Sequence, residues 1–337
     1  MENSSRASYK ELTRLVRQQG LLDRQPAYYA GNVVVILGLL ALSIAIIITV
    51  ESFWLQLLNA ILMAFVFGQI GFLGHDSGHR EIFASARKND IFGLVVSFFL
   101  GIIRTWWVDK HNQHHSNPNQ VGLDPDIDIP VISFTREDAL GKRGFFKFLV
   151  KFQAIFIVPL VCLESVALRV VGVQYMSSNR LKYSTSEPLL MLLHFAIYFS
   201  LLFWFLDVWQ AALFVVVHQL AFGFYMGSVF ATNHKGMPII DSDSTMNFLM
   251  RQILTARNVR GNVVTDALMG GLNYQIEHHL FPTMPRNQLR KAQKIVKAYC
   301  ADHEIDYYET DFLRSYKEIL KHFHWVGAVL RKPVVMS

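Results

Sequence analysis

Long apolar runs alternate with polar segments along the chain, and two pairs of these runs stand out. The first pair occupies residues 31–50 and 52–74, and the second pair occupies residues 189–206 and 208–232. A single acidic residue separates the two runs of each pair. Because about twenty helical residues cover the roughly 30 Å hydrocarbon core of a bilayer, each run is long enough to cross it. The pattern therefore predicts two transmembrane hairpins.

Two further apolar stretches carry charges. Residues 91–108 include Arg104, and residues 152–172 include Glu164 and Arg169. A charge inside a membrane span is energetically costly. We therefore expect both stretches to be interfacial or buried helices on the cytoplasmic face, not additional spans.

The basic residues indicate how the hairpins are oriented. No lysine or arginine lies between residues 31 and 79 or between residues 183 and 234, whereas the first 30 residues contain five. Positive charge favours the cytoplasmic side of a membrane. We therefore expect both termini and the central segment to be cytoplasmic, with the two acidic turns on the opposite side. The chain shows no signal-peptide pattern.

These observations predict an all-α integral membrane protein in which four transmembrane helices form two hairpins beneath a helical cytoplasmic cap. The predicted segments are a cytoplasmic N-terminal segment (1–30), the first hairpin (31–74), a cytoplasmic cap (75–188), the second hairpin (189–232) and a cytoplasmic C-terminal part (233–337).

Composition narrows the classes of protein that fit. The hydrophobic fraction is 52%, the charged fraction is 17% and the mean hydropathy is +0.27, which together exclude an intrinsically disordered chain. Two distant cysteines exclude a disulfide scaffold. The net charge of +6 does not come from a long basic block. We therefore expect membrane lipid, and no nucleic acid, as the partner of the basic residues.

The histidines fall into a pattern that suggests metal binding. Three short motifs contain seven of the 13 histidines: HDSGH at 75–79, HNQHH at 111–115 and QIEHH at 275–279. Their spacings of three and four residues place the side chains on one face of a helix. Imidazole is a suitable ligand for iron, zinc, copper and nickel. Each motif therefore offers several donors to one point.

The predicted topology brings the motifs to one membrane face. His75 and His79 follow the second span, His234 ends the fourth span, and the other two motifs lie in cytoplasmic segments. Eight histidines with Gln275 are too many ligands for one tetrahedral ion, so we expect two ions of higher coordination number. His194 and His218 lie in mid-span, and we expect neither to reach the metals, since 16 residues place His218 and His234 on nearly opposite helix faces.

With these motifs the sequence resembles the membrane fatty acid desaturases, which share three histidine boxes of this kind. The flanking segments 270–274 (GGLNY) and 280–282 (LFP) extend the resemblance. The resemblance implies a non-haem di-iron centre in the cap. The implied iron ligands are His75, His79, His111, His114, His115, His234, His278 and His279. Gln275 replaces the leading histidine of the third box, as in the front-end and acyl-lipid branch, and it could ligate iron directly, through water, or only form hydrogen bonds.

The resemblance also implies a reaction and its partners. A membrane desaturase uses O2 and two electrons to introduce a cis double bond into an acyl chain carried on coenzyme A, acyl carrier protein or a glycerolipid. The chain contains no His-Pro-Gly-Gly haem motif, and its first 30 residues are too few for a fused cytochrome b5 domain. We therefore expect a separate electron donor, either a ferredoxin or cytochrome b5 with its reductase.

Acidic residues near the boxes are candidates for orienting the imidazoles, since metal-bound histidines usually donate their second ring N–H to an acceptor. The alternative for those that follow the second box is a solvated turn. Trp106 and Trp107 could line a substrate channel or form an interfacial aromatic belt. The acidic candidates are Asp76, Glu277, Asp124, Asp126 and Asp128.

Two other functions remain open. Related histidine-box enzymes hydroxylate lipids or otherwise oxygenate them, and the sequence favours desaturation through its Gln-type third box. A metal transporter is the more remote alternative, because transport sites usually lie near the bilayer midplane on broken helices. Here the histidine motifs lie at the predicted membrane face.

Overall fold

A computed structural model of the chain describes residues 7–331. The predicted segments 1–30 and 233–337 therefore extend beyond the described residues. In chain order the helices are α1 (Tyr9–Gln18), α2 (Pro26–Thr49), α3 (Phe53–Gly78), α4 (Ala86–Leu100), α5 (Arg104–Ser116), α6 (Arg136–Gly141), α7 (Gly144–Lys151), α8 (Gln153–Cys162), α9 (Glu164–Ser178), α10 (Ser186–Phe205), α11 (Val208–His234), α12 (Phe248–Leu254), α13 (Val263–Leu268), α14 (Gln275–Leu280), α15 (Leu289–Asp302) and α16 (Phe312–Gly327).

The predicted all-α fold class is confirmed. Besides the α-helices, the described residues contain two short 3-10 helices and one small parallel strand pair. Strand β1 (Asn258–Val259) pairs with β2 (Glu309–Thr310) in the register Asn258 to Glu309. Each strand has only two residues, so the pair ties two loops together and does not form a layer of the fold.

Helices α2, α3, α10 and α11 are long and apolar enough to cross a membrane, which agrees with the four predicted spans. The turn between α2 and α3 lacks a Gly or Pro signal. Instead, the Gln56 amide donates to the carbonyl oxygens of Ile46 (2.9 Å) and Val50 (2.7 Å), which satisfies the exposed end of α2. Inside this hairpin Ser43 Oγ donates to Asn59 Oδ1 over 2.7 Å, so these two buried polar side chains satisfy each other.

Each of the two charged apolar stretches falls on two helices, residues 91–108 on α4 and α5 and residues 152–172 on α8 and α9. Helices α4 and α5 meet at 110°, and α7 and α8, at the start of the second stretch, meet at 105°. At the first bend Gly101 adopts φ +63°, a left-handed conformation that glycine tolerates and that ends α4. The buried Arg169 donates to the carbonyl oxygen of Leu100 over 2.8 Å, so an arginine caps the last turn of α4.

The chain divides into two compact units. Within the described residues, unit A comprises residues 7–22, 110–159 and 229–331, and unit B comprises Asp23–Asp109 and Leu160–Ser228. Unit B contains α2, α3, α4, α9 and α10, and three of its boundaries fall inside α5, α8 and α11. The second and third histidine boxes therefore belong to unit A, whereas the first box belongs to unit B.

The core of unit A is built around the short helix α14. All six residues of α14 are buried, although a six-residue helix has little stability of its own. Ile276 and Leu280 pack in one apolar cluster with residues of α1, α12 and α15. Burying a Leu or Ile side chain contributes about 1.5–3 kcal/mol, so tertiary packing holds α14 in place. A buried helix of this kind is a rigid support for side chains on its other faces.

Candidate metal centre

Two helical segments of unit A, the part of α5 from Lys110 onward and helix α14, supply most of the candidate ligands. Helix α5 carries the second box, and α14 carries the third. The backbone N–H of Ile276 donates to Asn258 Oδ1 over 2.9 Å, which ties the first turn of α14 to strand β1. At the other end of α14, the Tyr9 hydroxyl donates to the carbonyl oxygen of Leu280 over 2.7 Å. Both ends of the helix are therefore fixed by side chains from distant parts of the chain.

A first group of ligand atoms comes from His111, His115 and His278, each of which offers one ring nitrogen within 4.8 Å of the others. His111 and His115 are one helical turn apart on α5, and their Nε2 atoms are 3.2 Å apart. The Nε2 atom of His278, from α14, is 3.1 Å from that of His115. The second and third boxes therefore meet at this point.

A second group comes from His114, His234 and His279, and all three side chains are buried. The Nε2 atom of His234 lies 3.3 Å from that of His114 and 2.9 Å from that of His279. His234 ends α11, so a residue without a neighbouring histidine in the sequence joins the two boxes here.

The double histidines of the boxes explain why two groups form. Adjacent residues on a helix point about 100° apart, so His114 and His115 cannot face the same point. His278 and His279 diverge in the same way on α14. Each pair of adjacent histidines thus places one ring in the first group and one ring in the second. The rings of His115 and His279 stack on each other where the two groups meet, with centroids 4.1 Å apart.

The second ring nitrogen of each histidine in the second group faces an acceptor. His114 Nδ1 is 3.0 Å from both carboxylate oxygens of Asp124. His234 Nδ1 is 3.0 Å from the carbonyl oxygen of Thr255, and His279 Nδ1 is 2.8 Å from Gln252 Oε1. These acceptors fix the tautomer with the proton on Nδ1, which leaves a lone pair on each Nε2 atom.

This arrangement fits a metal cation. Three lone pairs that converge at about 3 Å repel one another, and a cation between them removes that repulsion. The donors are all neutral imidazole nitrogens, which suit iron among the transition metals. The orienting groups are also present, because metal-bound histidines are normally held through the second nitrogen. The residues of unit A therefore fit the iron centre that the sequence implied.

Asp124 is itself held in place by the backbone. Its Oδ2 atom accepts from the N–H of Asn119 (2.7 Å), and its Oδ1 atom accepts from the N–H of Asp126 (2.9 Å). The Asn119 amide donates to the carbonyl oxygens of His234 (3.2 Å) and Thr255 (3.3 Å). The segment after the second box is therefore a built support for the second group, although Asp-Pro is also a common turn signal.

The other acidic candidates lie in different surroundings. Asp126 Oδ2 is 3.5 Å from His114 Nδ1, and its carboxylate also pairs with Lys110. Burial opposes ionisation of Asp126, but Lys110, His114 and Lys235 together outweigh it and hold the pKa of Asp126 below its usual range. Asp128 is exposed.

Glu277 lies inside the third box, but its carboxylate contacts groups other than the ligand histidines. It accepts hydrogen bonds from Asn258 Nδ2 (2.6 Å) and from the Tyr307 hydroxyl (2.8 Å). Burial raises the pKa of Glu277 to about 7, against the effect of these two hydrogen bonds. Its contacts tie α14 to strand β1 and to the segment before β2.

Unit B contains the first box at the end of α3. His75 and His79 are one turn apart, and their ring centroids are separated by 4.7 Å. Asp76 Oδ1 is 3.3 Å from His75 Nδ1. Trp107 packs edge-on against His75 with a centroid distance of 5.9 Å, whereas Trp106 is buried in an apolar cluster with Ile103.

The two mid-span histidines have other surroundings. The Tyr198 hydroxyl lies 2.7 Å from His218 Nδ1, and the ring of Phe67 packs edge-on against His218 at 4.6 Å. His194 stacks on Tyr198 with a centroid separation of 5.8 Å. Among the residues that the structure describes, neither histidine belongs to a candidate metal group.

Sequence reasoning missed several residues that hold the candidate ligands. Gln252 on α12 both accepts from His279 and donates to the carbonyl oxygen of His115 over 3.0 Å. Asn119 and the carbonyl oxygen of Thr255 support the second group. None of these positions belongs to a spaced motif, and a backbone carbonyl leaves no signature in the sequence. Only the tertiary fold reveals them.

Comparison with known proteins places these motifs in context. Residues 52–311 match the fatty acid desaturase family. An acyl-lipid (9-3)-desaturase from Physcomitrium patens is 30% identical over 325 residues, which cover 93% of this chain and 61% of the relative. A Delta(5) fatty acid desaturase from Caenorhabditis elegans is 29% identical over 338 residues, or 96% of this chain and 75% of the relative.

A third relative, a Delta(8)-fatty-acid desaturase from Euglena gracilis, is 29% identical over 320 residues, or 90% of this chain and 75% of the relative. The chain thus spans between 61% and 75% of the length of these three proteins. The matched region contains all three histidine boxes and His234. The resemblance suggested by the motifs is confirmed.

Proposed function

We propose that this chain, which belongs to the fatty acid desaturase family, introduces a cis double bond into a fatty acyl chain. The observation that carries the proposal is the pair of three-histidine groups in unit A, with the Nε2 atoms of each group converging. Two iron ions held by the histidines would activate O2, which is the oxidant of the reaction. The two hydrogens removed from adjacent methylene groups, together with two electrons and two protons, would reduce O2 to two waters.

The protein's own contribution is to hold the ligands. Asp124, Gln252 and the carbonyl oxygen of Thr255 keep the proton of each second-group histidine on Nδ1. The Nε2 lone pairs are then available for metal without a proton having to leave. Because these acceptors are fixed by backbone and helix contacts, little reorganisation should accompany metal binding.

We assign one iron to each group of unit A. The first iron would take His111, His115 and His278, and the second would take His114, His234 and His279. We also assign His75 and His79 as iron ligands, an assignment that rests on the first histidine box and on their shared helix face.

The branch of the family follows from the third box and the relatives. Gln275 takes the place of the leading histidine of the third box, a replacement that resembles the front-end and acyl-lipid desaturases. The relatives carry the names of acyl-lipid (9-3)-, Delta(5)- and Delta(8)-desaturases. We propose the same type of reaction for this chain, with an acyl chain on coenzyme A, acyl carrier protein or a glycerolipid as substrate.

We propose that the active site and both termini lie on the cytoplasmic side, on the basis of the uneven distribution of lysine and arginine. A separate ferredoxin, or cytochrome b5 with its reductase, would deliver the electrons. The helices α2, α3, α10 and α11 would anchor the enzyme in the bilayer as two hairpins.

Expression in a host that lacks desaturases tests the proposed reaction. Lipids are extracted and their fatty acids are analysed by mass spectrometry, with saturated and unsaturated acids of several lengths supplied in the medium. We expect a new double bond in at least one acid, and we expect His279→Ala to abolish it. If hydroxylated acids accumulate without an unsaturated product, the related hydroxylase function replaces the desaturase.

A further inference from the structure

Gln275 lies beside the second histidine group, and its amide has a defined orientation. The side chain is buried, and its Nε2 atom is 3.0 Å from Nε2 of His234. Its Oε1 atom accepts a hydrogen bond from Asn233 Nδ2 over 2.9 Å. Gln275 is therefore close enough to the candidate iron ligands to act on the metal site. Whether its side-chain oxygen or its NH2 group faces the site decides whether it can ligate iron or donate a hydrogen bond.

Two backbone carbonyl oxygens, one acting through Asn233 and one through His234, fix the orientation of the Gln275 amide. Asn233 Nδ2 also donates to the carbonyl oxygen of Leu272 over 3.0 Å, so the Asn233 atom that meets Gln275 must be the NH2 group. Gln275 must then present its oxygen to Asn233. On the other side, the Thr255 carbonyl oxygen keeps the His234 proton on Nδ1, so the Nε2 lone pair of His234 needs a donor.

The opposite amide orientation would break both contacts. Turning Gln275 over would bring its NH2 group against the NH2 group of Asn233 and its oxygen against the His234 lone pair. Turning Asn233 as well would bring the Asn233 oxygen against the carbonyl oxygen of Leu272. Each rearrangement places two donors or two acceptors against each other among buried side chains, which is costly.

We propose that Gln275 is a hydrogen-bond donor to the metal site and not an iron ligand, and that Asn233 is the positioning residue that keeps its NH2 group turned toward the site. This inference rests on the proposed function, because it assumes iron bound to His234. When the Nε2 lone pair of His234 is given to a metal, the Gln275 NH2 group loses that acceptor. It then faces the site as a buried donor that an oxygen or nitrogen atom of a small ligand would satisfy.

Iron content and azide binding test the inference without any need for turnover. Azide is a small anion that binds ferric iron and changes its absorption, so its affinity can be titrated with the purified protein. In Gln275→Leu we expect the wild-type number of irons per chain and an azide affinity about tenfold weaker, the effect of losing one hydrogen bond. Loss of iron in Gln275→Leu would make Gln275 a ligand and overturn the inference.

Asn233→Asp examines the positioning role with nearly the same side-chain shape. The introduced carboxylate would accept from the Gln275 NH2 group and turn the Gln275 oxygen toward His234. We expect azide affinity to fall by about three- to tenfold while the iron content stays at the wild-type value. Unchanged azide affinity in both variants would show that Gln275 donates nothing to the site.

Gln153→Leu is the matched control. Gln153 is a buried glutamine of unit A whose amide bonds the backbone of Ser133 and Phe323. We expect this variant to keep both iron content and azide affinity, which separates the loss of a buried amide from the loss of this particular donor. Absence of iron in the wild-type protein would refute the proposed function together with the inference. Iron with unaltered azide affinity in Gln275→Leu would refute the inference alone.

Discussion

The substitution Asp124→Asn removes one charge from the support of the second histidine group with almost no change in shape. Both carboxylate oxygens of Asp124 lie 3.0 Å from His114 Nδ1. One oxygen also accepts from the backbone N–H of Asn119, and the other accepts from that of Asp126. Both terminal atoms of the Asp124 side chain must therefore be hydrogen-bond acceptors.

Asparagine supplies an acceptor on one side only. Whichever way its amide turns, the NH2 group meets a backbone N–H, and one buried donor is left without a partner. That loss should cost about 1–3 kcal/mol of stability in the metal-free protein. The contact to His114 also loses its negative charge, and changes of this kind behind a metal-bound histidine typically reduce metal affinity about 10- to 100-fold.

Two measurements on the detergent-solubilised protein check these magnitudes. Thermal unfolding of the metal-free protein reports the stability change, and competition with a chelator reports the Fe²⁺ affinity. Asp128→Asn is the control, because Asp128 belongs to the same segment and is exposed. We expect the control to match the wild-type protein in both assays. If Asp124→Asn and Asp128→Asn bind Fe²⁺ equally well, Asp124 does not orient His114 and the reasoning fails.

Two further predictions concern the helices and the topology. A Cβ atom on Gly223 would lie 2.1 Å from the carbonyl oxygen of Cys162, so Gly223→Ala should cost about 1–3 kcal/mol through overpacking. A Cβ atom on Gly31, inside α2, would meet open space, so Gly31→Ala should not lower thermal stability. Equal melting temperatures for the two variants would contradict the packing described for unit B. In a chain without its native cysteines, a membrane-impermeant maleimide applied to intact cells should label Asp207→Cys and not Asp128→Cys, and the reverse pattern would invert the proposed orientation.

The spans were predictable because their signal is local and strong. A run of about twenty apolar residues has few alternatives to a membrane-spanning helix, and the absence of lysine and arginine marks its limits. The bend between α4 and α5 was harder to predict. It depends on the left-handed Gly101 and on the cap that Arg169 provides from a distant helix, and the second contact has no local signature.

The histidine motifs are visible in the sequence, but their three- and four-residue spacing does not by itself indicate that their side chains divide between two groups. That division follows from helix geometry, since His114 and His115 point about 100° apart. The supports of the ligands were predictable only in part. Asp124 follows the second box closely, whereas Gln252 and Asn233 come from other helices and reach the site only through the tertiary fold.

Position within a box is a weak guide to the role of a neighbouring acid. Glu277 sits beside His278, yet its side chain points to Asn258 and Tyr307 because adjacent residues of α14 face different directions. Asp124 lies nine residues after the last histidine of its box and contacts His114 directly. The turn that follows α5, and not closeness in sequence, brings the Asp124 carboxylate to the ring.

Metal analysis of the purified protein tests the central claim most directly. The two three-histidine groups should hold one iron each, so elemental analysis of protein expressed in medium that contains both iron and zinc should find about two irons per chain. A single zinc per chain, with iron absent, would contradict the account, because it would indicate one tetrahedral site in place of two iron sites.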